Sequence, residues 1–372
     1  MKTFFNLIQE VQKPGLCHRC GGCVTFCTAI NYGALEIDAD GKPRYKEIEK
    51  CIECGLCHSI CPEVLELEDE TRRQFSWSEP MGRVIETTIA QSVDEMIRDR
   101  ATDGGVVTAL LVHLFERGRI DGAIVAKQTG PFQRAPYLAT TQEEILDSSG
   151  FFFDTSHGMK QFSDLYMTYS SIMEFEPLMR KHLTRVVLVG TPCQIKSVRR
   201  MQVMGLVPSD AIQFCFGLFC SGNFVFGPDQ KAELSKSGEF SWDDVEKINI
   251  KDNLQIHLSS GEIKSVPLEK LASIRRYACR FCPDYSAEYA DLSFGGIGAP
   301  EGWTTTIART PLGRAVLADA RGAGKVVDFS SMDHSSSASN ALTQVGISSG
   351  RKRAAAVLSR QELTEKLVTV KY

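Results

Sequence analysis

Two equal runs of four cysteines constrain this chain more than any other stretch. The first reads Cys17-His-Arg-Cys20-Gly-Gly-Cys23-Val-Thr-Phe-Cys27, the second Cys51-Ile-Glu-Cys54-Gly-Leu-Cys57-His-Ser-Ile-Cys61-Pro62. Both follow the spacing C-x2-C-x2-C-x3-C, in which three thiolates of one tight loop bind a [4Fe–4S] cluster and the fourth binds the other cluster. The spacing predicts one cluster on Cys17, Cys20, Cys23 and Cys61, and a second on Cys51, Cys54, Cys57 and Cys27. Gly21, Gly22 and Gly55 let the loops turn without a Cβ in the way. Pro62 stops the chain after Cys61, while Thr28 stands where a second proline is usual, at no cost in ligands. Structural zinc uses Cys pairs with a longer gap, and a disulfide framework needs an oxidising compartment. The doubled spacing favours clusters over both. A chain built this way carries electrons.

Composition narrows the setting. The 372 residues suffice for two or three domains with a buried core. A hydrophobic content of 43% and a charged content of 24% are those of a soluble globular protein. The formal net charge of −4 argues against a general nucleic-acid binder. Thirteen cysteines, most of them assignable to metal sites, point to a reducing, oxygen-poor cytoplasm. Residues 1–13 lack the continuous apolar segment of a signal peptide. No apolar run approaches the roughly 18 residues that span a bilayer, so membrane contact is expected only through a partner.

Along the chain, Gly33–Asp38 reads as a strand, Asp40-Gly41 as a turn and Arg44-Tyr45 as the return strand, a hairpin between the cysteine runs. The charged stretch Glu66–Arg73 reads as a solvated linker. Val84–Val93 is an expected strand and Asp94–Arg100 an expected helix. In Thr102-Asp-Gly-Gly-Val-Val-Thr108 two glycines precede an apolar helix that ends at Gly118. Bare N–H groups at such a helix start bind phosphate, but taken alone the pattern is better explained by a plain capped helix with Thr102 or Asp103 as N-cap. Asp121–Ala126 reads as a buried strand and Phe132–Gly158 as loop. Arg185–Gly190 is a strand running through Gly190-Thr191-Pro192-Cys193-Gln194 into a helix, and Ala211–Gly222 is a strand that delivers Cys220 to its end. Cys215, within that run, is a core residue. Trp242–Leu268 alternates as an antiparallel meander, with His257 an exposed strand residue. Beyond Asp333 the chain is serine-rich and reads as loop, with a helix from Arg351 to about Leu367 whose basic Arg351-Lys352-Arg353 start is solvated.

Cys279 and Cys282 form a further C-x2-C pair. Taken alone it fits half a zinc site or a redox pair. Cys193 and Cys220 are available to complete four thiolates, and spacing leaves their convergence open.

Four separated segments resemble the coenzyme F420 hydrogenase/dehydrogenase beta-subunit family. They are Asp103-Gly-Gly-Val-Val-Thr108, Gly190-Thr-Pro-Cys-Gln194, Phe219-Cys220, and Cys279-Arg-Phe-Cys-Pro-Asp284 with Gly295-Gly-Ile-Gly298. The resemblance covers roughly residues 80–330 and implies one FAD and a third [4Fe–4S] cluster. It makes Cys193, Cys220, Cys279 and Cys282 the cluster ligands, and places flavin contacts at Thr102, Asp103, Gly104, Gly105, Thr108, Gly190, Thr191, Gln194, Gly296 and Gly298. Asp103 replaces the family's usual serine and must point away from a phosphate. Ser149-Gly-Phe-Phe-Phe-Asp154 replaces a common Gly-Ser-Lys-Tyr.

The expected fold class is α+β (mixed α/β): a ferredoxin-like 2[4Fe–4S] domain over 1–75, an α/β flavin-binding domain with an additional antiparallel sheet over 76–345, and a helical tail over 346–372. The resemblance implies a cytoplasmic subunit that exchanges a hydride with coenzyme F420 at FAD. It would pass single electrons to another redox subunit of hydrogenase, formate dehydrogenase or heterodisulfide-reductase type, in a hetero-oligomer without nucleic acid. A flavin-dependent reductase of an organic substrate, of the chlorophyll-precursor kind, and an electron-transfer adaptor are the alternatives. No catalytic side chain stands out. His157, Lys127 and Lys196 are the candidates for moving a proton, each also explicable as a surface or loop residue.

Overall fold

A computed structural model describes residues 2–27, 32–38, 41–130, 133–150, 181, 183–206, 209–224, 228–250, 253–272, 274–329 and 334–369. Thr28, Phe151–Asp154 and His157 lie outside them.

Among the described residues the strands form three sheets. The cysteine module holds the expected hairpin, β1 (Leu35–Ile37) against β2 (Pro43–Tyr45), with Leu35 facing Tyr45. The main sheet takes β3 (Glu86–Ser92), β4 (Gly122–Gly130), β5 (Gln133–Ala139), β6 (Val186–Gly190) and β7 (Ile212–Leu218). The meander follows as β8 (Val245–Ile250), β9 (Asn253–Leu258) and β10 (Ile263–Pro267), before β11 (Leu292–Gly295), β12 (Thr304–Ala308) and β13 (Val326–Asp328) return to the main sheet. Its order is β13-β3-β12-β11-β7-β6-β4-β5. Strands β4, β6, β7 and β11 run parallel. Strand β12 is antiparallel to both β11 and β3, so β3 points the same way as the parallel group. Five strands therefore end on one edge, where α/β sheets place their sites.

Both faces of the sheet are covered. On one face Val106, Leu110 and Leu114 of helix Val106–Glu116 and Leu317 of helix Pro311–Gly322 pack over Phe214, Phe216 and Phe294. On the other, Ile195, Val198 and Met201 of helix Pro192–Val203 share a core with Leu188, Cys215 and, from the cysteine module, Phe26 and Ile60. The module is thus packed into the body of the protein. Its own core takes in Phe281 and Leu363 from far along the chain.

Four expectations change. The stretch read as a solvated linker holds helix Glu68–Gln74, and Glu68 ion-pairs with Lys196 (2.6 Å) and Arg200 (2.9 Å). The stretch read as loop after Phe132 contains β5 and helix Gln142–Asp147, whose start Thr141 and Glu144 close as a capping box. The C-terminal helix begins at His334 and runs to Thr369, so Lys352 sits mid-helix, its ammonium donating to the carbonyls of Cys220 (2.6 Å) and Asp284 (2.8 Å). Serines have modest helix propensity, and here tertiary contacts outweigh it: Ala341, Val345, Ser349 and Ala356 are buried. His257 is half-buried. Among the described residues no helix is long and apolar enough to cross a membrane.

Gly104 shows how tightly the sheet edge is built. A Cβ there would stand 2.7 Å from the Ala90 carbonyl and 3.1 Å from the Gln91 backbone, neither of which can swing aside. We expect Gly104→Ala to lower stability by about 1–3 kcal/mol, the usual range for overpacking. Thermal unfolding followed by circular dichroism checks this; an unchanged midpoint would contradict the geometry.

Candidate metal centres

Twelve cysteines gather in three groups. Cys17, Cys20, Cys23 and Cys61 line one cavity. Cys27, Cys51, Cys54 and Cys57 line a second. The crossing of the fourth cysteine follows from the fold: Cys61 ends the turn after helix Leu56–Ser59 and reaches the first loop, while Cys27 reaches the second. Cys193 and Cys282 line a third cavity, and Cys279 and Cys282 lie close enough to Cys220 to disfavour its thiolate. Parallel neighbours β6 and β7 deliver Cys193 and Cys220 to the carboxyl edge, and a one-turn helix, Tyr277–Arg280, brings up Cys279.

The electrostatics of the groups are consistent with metal ligation. Burial, reinforced by Cys27, Cys54 and Cys51, pushes the Cys57 thiol up to about 12. Burial pushes Cys193 to about 12 as well. Cys220 rises to about 11 by burial and by Cys279 and Cys282, against the opposing charge of Lys352. Cys23 and Cys61 rise further for the same reasons. Thiols so crowded and dry do not ionise by themselves; a bound cationic centre would deprotonate them. Cys279 differs. Burial would raise it, but His18 and the Asn223 N–H (3.3 Å from Sγ) hold it at about 7.

Adjacency gives an order. Cys23 feels Cys57, joining the two module cavities. Cys193 feels Cys20 and His18, joining the third group to the Cys17 group. His18 is buried, faces Glu63, and its backbone carbonyl accepts from Arg276 (3.3 Å). Burial disfavours the charged Glu63, yet His18 and Arg360 hold it at about 2. Beside Cys193 and Cys282, burial and Asp284 push Glu288 up to about 7, while it accepts from Trp77 Nε1 (2.6 Å) and Arg353 (2.6 Å).

The expected flavin residues fall at the same sheet edge, with differing surroundings. Helix Val106–Glu116 starts at Gly105, whose φ of 71° is left-handed, so the N-cap position falls on a glycine rather than on Thr102 or Asp103. The first-turn N–H groups of a helix lack intrahelical partners, and a glycine start of this kind fits an anionic group. Asp103 is turned to Asn249 of the meander (3.0 Å) and lies against Gly296, where an added Cβ would stand 2.8 Å from its carboxylate. The Gly104 N–H donates to Thr304 (2.9 Å), and Gly298 is closed off by Ala341 of the C-terminal helix, 2.6 Å from a notional Cβ. Thr108 is buried in the first turn of the helix. The Gln194 amide oxygen accepts from the Thr191 N–H (3.0 Å) and stands against Gly190, while the Thr191 hydroxyl lies 3.3 Å from Cys193 Sγ. Those three residues build the helix start that presents Cys193. Of the proton-transfer candidates, Lys196 is paired with Glu68 and Lys127 lies over the Tyr137 ring (4.6 Å).

His18, Ser197, Asn249 and Lys352 carry no local signal that marks them in the sequence. Lys352 shows there only as one of three basic residues. His18 shows only as a spacer within a cysteine run.

A sheet edge that presents cysteines and an open helix start, docked to a doubled cysteine module, is the build of an iron–sulfur redox protein. Family models agree. Residues 87–163 match the N-terminal and 183–333 the C-terminal model of the coenzyme F420 hydrogenase/dehydrogenase beta subunit, and 9–62 match a 4Fe-4S dicluster domain. The coenzyme F420 hydrogenase subunit beta of Methanococcus voltae is 30% identical over 288 residues, 76% of this chain and 98% of that protein. The F420-dependent formate dehydrogenase subunit beta of Methanocaldococcus jannaschii is 26% identical over 245 residues, 64% of this chain and 60% of that protein. A chain of the F420-reducing [NiFe] hydrogenase complex from Methanosarcina barkeri superposes with a TM-score of 0.67 at 27% identity, over 77% of this chain and 94% of that one. The chain belongs to the coenzyme F420 hydrogenase/dehydrogenase beta-subunit family. It is an oxidoreductase with an iron–sulfur module at its N-terminal side.

Proposed function

We propose that this chain exchanges a hydride with coenzyme F420 at a bound FAD and passes single electrons through three [4Fe–4S] clusters to a partner redox subunit. The observation that carries the reading is the cavity lined by Cys193 and Cys282, with Cys193 also in reach of Cys20 of the inner module cavity. The names borne by the relatives support coenzyme F420 as the hydride partner and another subunit as the electron partner. FAD, when bound, supplies a centre that accepts electrons in pairs and releases them singly.

The chain's own residues then divide the work. The glycine-led helix start at Val106–Thr108 holds an anionic group, and Asn249 holds the Asp103 carboxylate to one side. Cys193, Cys220, Cys279 and Cys282 hold the adjoining cluster, Cys17, Cys20, Cys23 and Cys61 the inner module cluster, and Cys51, Cys54, Cys57 and Cys27 the outer one. The buried ammonium of Lys352, at the carbonyls of Cys220 and Asp284, offsets negative charge arriving at the first of these.

Anaerobically purified protein mixed with reduced F420 should show bleaching of both flavin and cluster absorbance, and the reverse on adding oxidised F420 to the reduced protein. Intact flavin and clusters with no change in either direction would overturn the F420 assignment.

A further inference from the structure

Helix Pro192–Val203 reaches two cysteine groups at once. Cys193 stands near its start, and Ser197, four residues on, lies on the same face one turn later. Ser197 lines the cavity of Cys17, Cys20, Cys23 and Cys61, which belong to the other end of the sequence. It is fully buried, and its hydroxyl, with no nitrogen or oxygen partner among the described protein atoms, has the Cys20 sulfur as the acceptor in reach. A helical serine commonly bonds its own i−4 carbonyl, and this one does not. Gly22 makes the room: a Cβ there would stand 2.1 Å from Ser197 Oγ and 3.3 Å from its Cβ. A glycine of the cysteine loop thus admits a hydroxyl from the other domain into the cavity.

We propose that Ser197 donates its O–H to a sulfur of the cluster held by Cys17, Cys20, Cys23 and Cys61, so that a residue of the flavin-side domain sets that cluster's potential. The proposal rests on the reading that this cavity holds a [4Fe–4S] cluster. A donor to cluster sulfur favours the more negative, reduced state and raises the potential. Because the hydroxyl arrives on the helix that also carries Cys193, docking of the module and tuning of its inner cluster are one event.

The test uses the full chain, purified anaerobically, with the inner-cluster electron paramagnetic resonance signal assigned by its loss in Cys20→Ala. In the wild type, electron–nuclear double resonance after transfer to D2O should detect an exchangeable deuteron coupled to that signal. Ser197→Ala should keep its iron content, lose the coupling and move that signal alone to lower potential. Absence of the coupling in the wild type, or a Ser197→Ala protein with wild-type iron and unmoved potentials, overturns the proposal. A wild-type iron content left unaltered by Cys20→Ala would instead sink the underlying cluster reading.

Discussion

Replacing Cys54 with Ala should abolish most electron delivery to a protein-sized one-electron acceptor, by on the order of 100-fold, while reduction of the flavin by its hydride donor survives. The size is the upper end of what the loss of outer-shell metal partners costs, and a direct ligand should cost no less. The order of the cavities gives the direction. Cys193 and His18 tie the C-terminal group to the Cys17 cavity, and Cys23 and Cys57 tie that cavity to the one lined by Cys54. The last cavity is the outer one. Ile52 beside it is 59% exposed, and Ile48 and Phe5 nearby are 63% and 58% exposed, whereas His18, between the other two groups, is buried. Removing an outer ligand therefore breaks the path after the flavin. Stopped-flow absorbance separates the two half-reactions. If both fell together in a folded protein, the outer cavity would not be the outlet; if neither fell, electrons would leave elsewhere.

Glu68→Gln should cost about 3–5 kcal/mol, the usual penalty for breaking a buried ion pair, and lower the unfolding midpoint by roughly 5–10 °C. Glu68 accepts from Lys196 and Arg200 on the cysteine-bearing helix and from Tyr289, so it fastens the module's trailing helix to the body. The Arg200 side chain is wholly buried and also donates to the Cys61 carbonyl, so a neutral partner leaves its charge uncompensated. Burial alone would raise the Glu68 carboxyl, yet Lys196 and Arg200 hold it at about 2, against an ordinary 4.5. A folded value below the unfolded one means the stabilisation is complete above about 4.5 and fades as pH falls toward about 2. The gap between wild type and variant should therefore be full at neutral pH and narrow on acidification. Thermal unfolding across pH checks both statements, and equal midpoints at pH 7 would refute the assigned role.

Much of the chemistry lies in one dimension. A cluster loop needs three thiolates within seven residues, so Cys17–Cys23 and Cys51–Cys57 declare themselves by spacing. The strand–turn–helix at Gly190–Gln194 is legible because an apolar run followed by Thr-Pro is a local signal for a helix start. The alternation of β8, β9 and β10 is likewise local.

The rest depends on which strands become neighbours. Cys193, Cys220 and the Cys279–Cys282 pair are far apart in sequence, and no period or spacing predicts their meeting; it follows from β6 and β7 lying side by side in parallel and from Arg276 and Tyr285 bonding to the backbone of Asn223 and Cys220 just after β7. Charge alone makes Glu66–Arg73 read as a linker, and serine content makes the chain after Asp333 read as loop. Ion pairs with Lys196 and Arg200 in the first case, and a buried face in the second, reverse both. Sequence by itself therefore determined that this chain binds clusters and that a helix start faces a sheet edge, because ligand spacing and capping act within a few residues. Only the tertiary structure decided how the cysteine groups are ordered and which buried side chains stand between them, because those contacts are made by residues that share no local pattern.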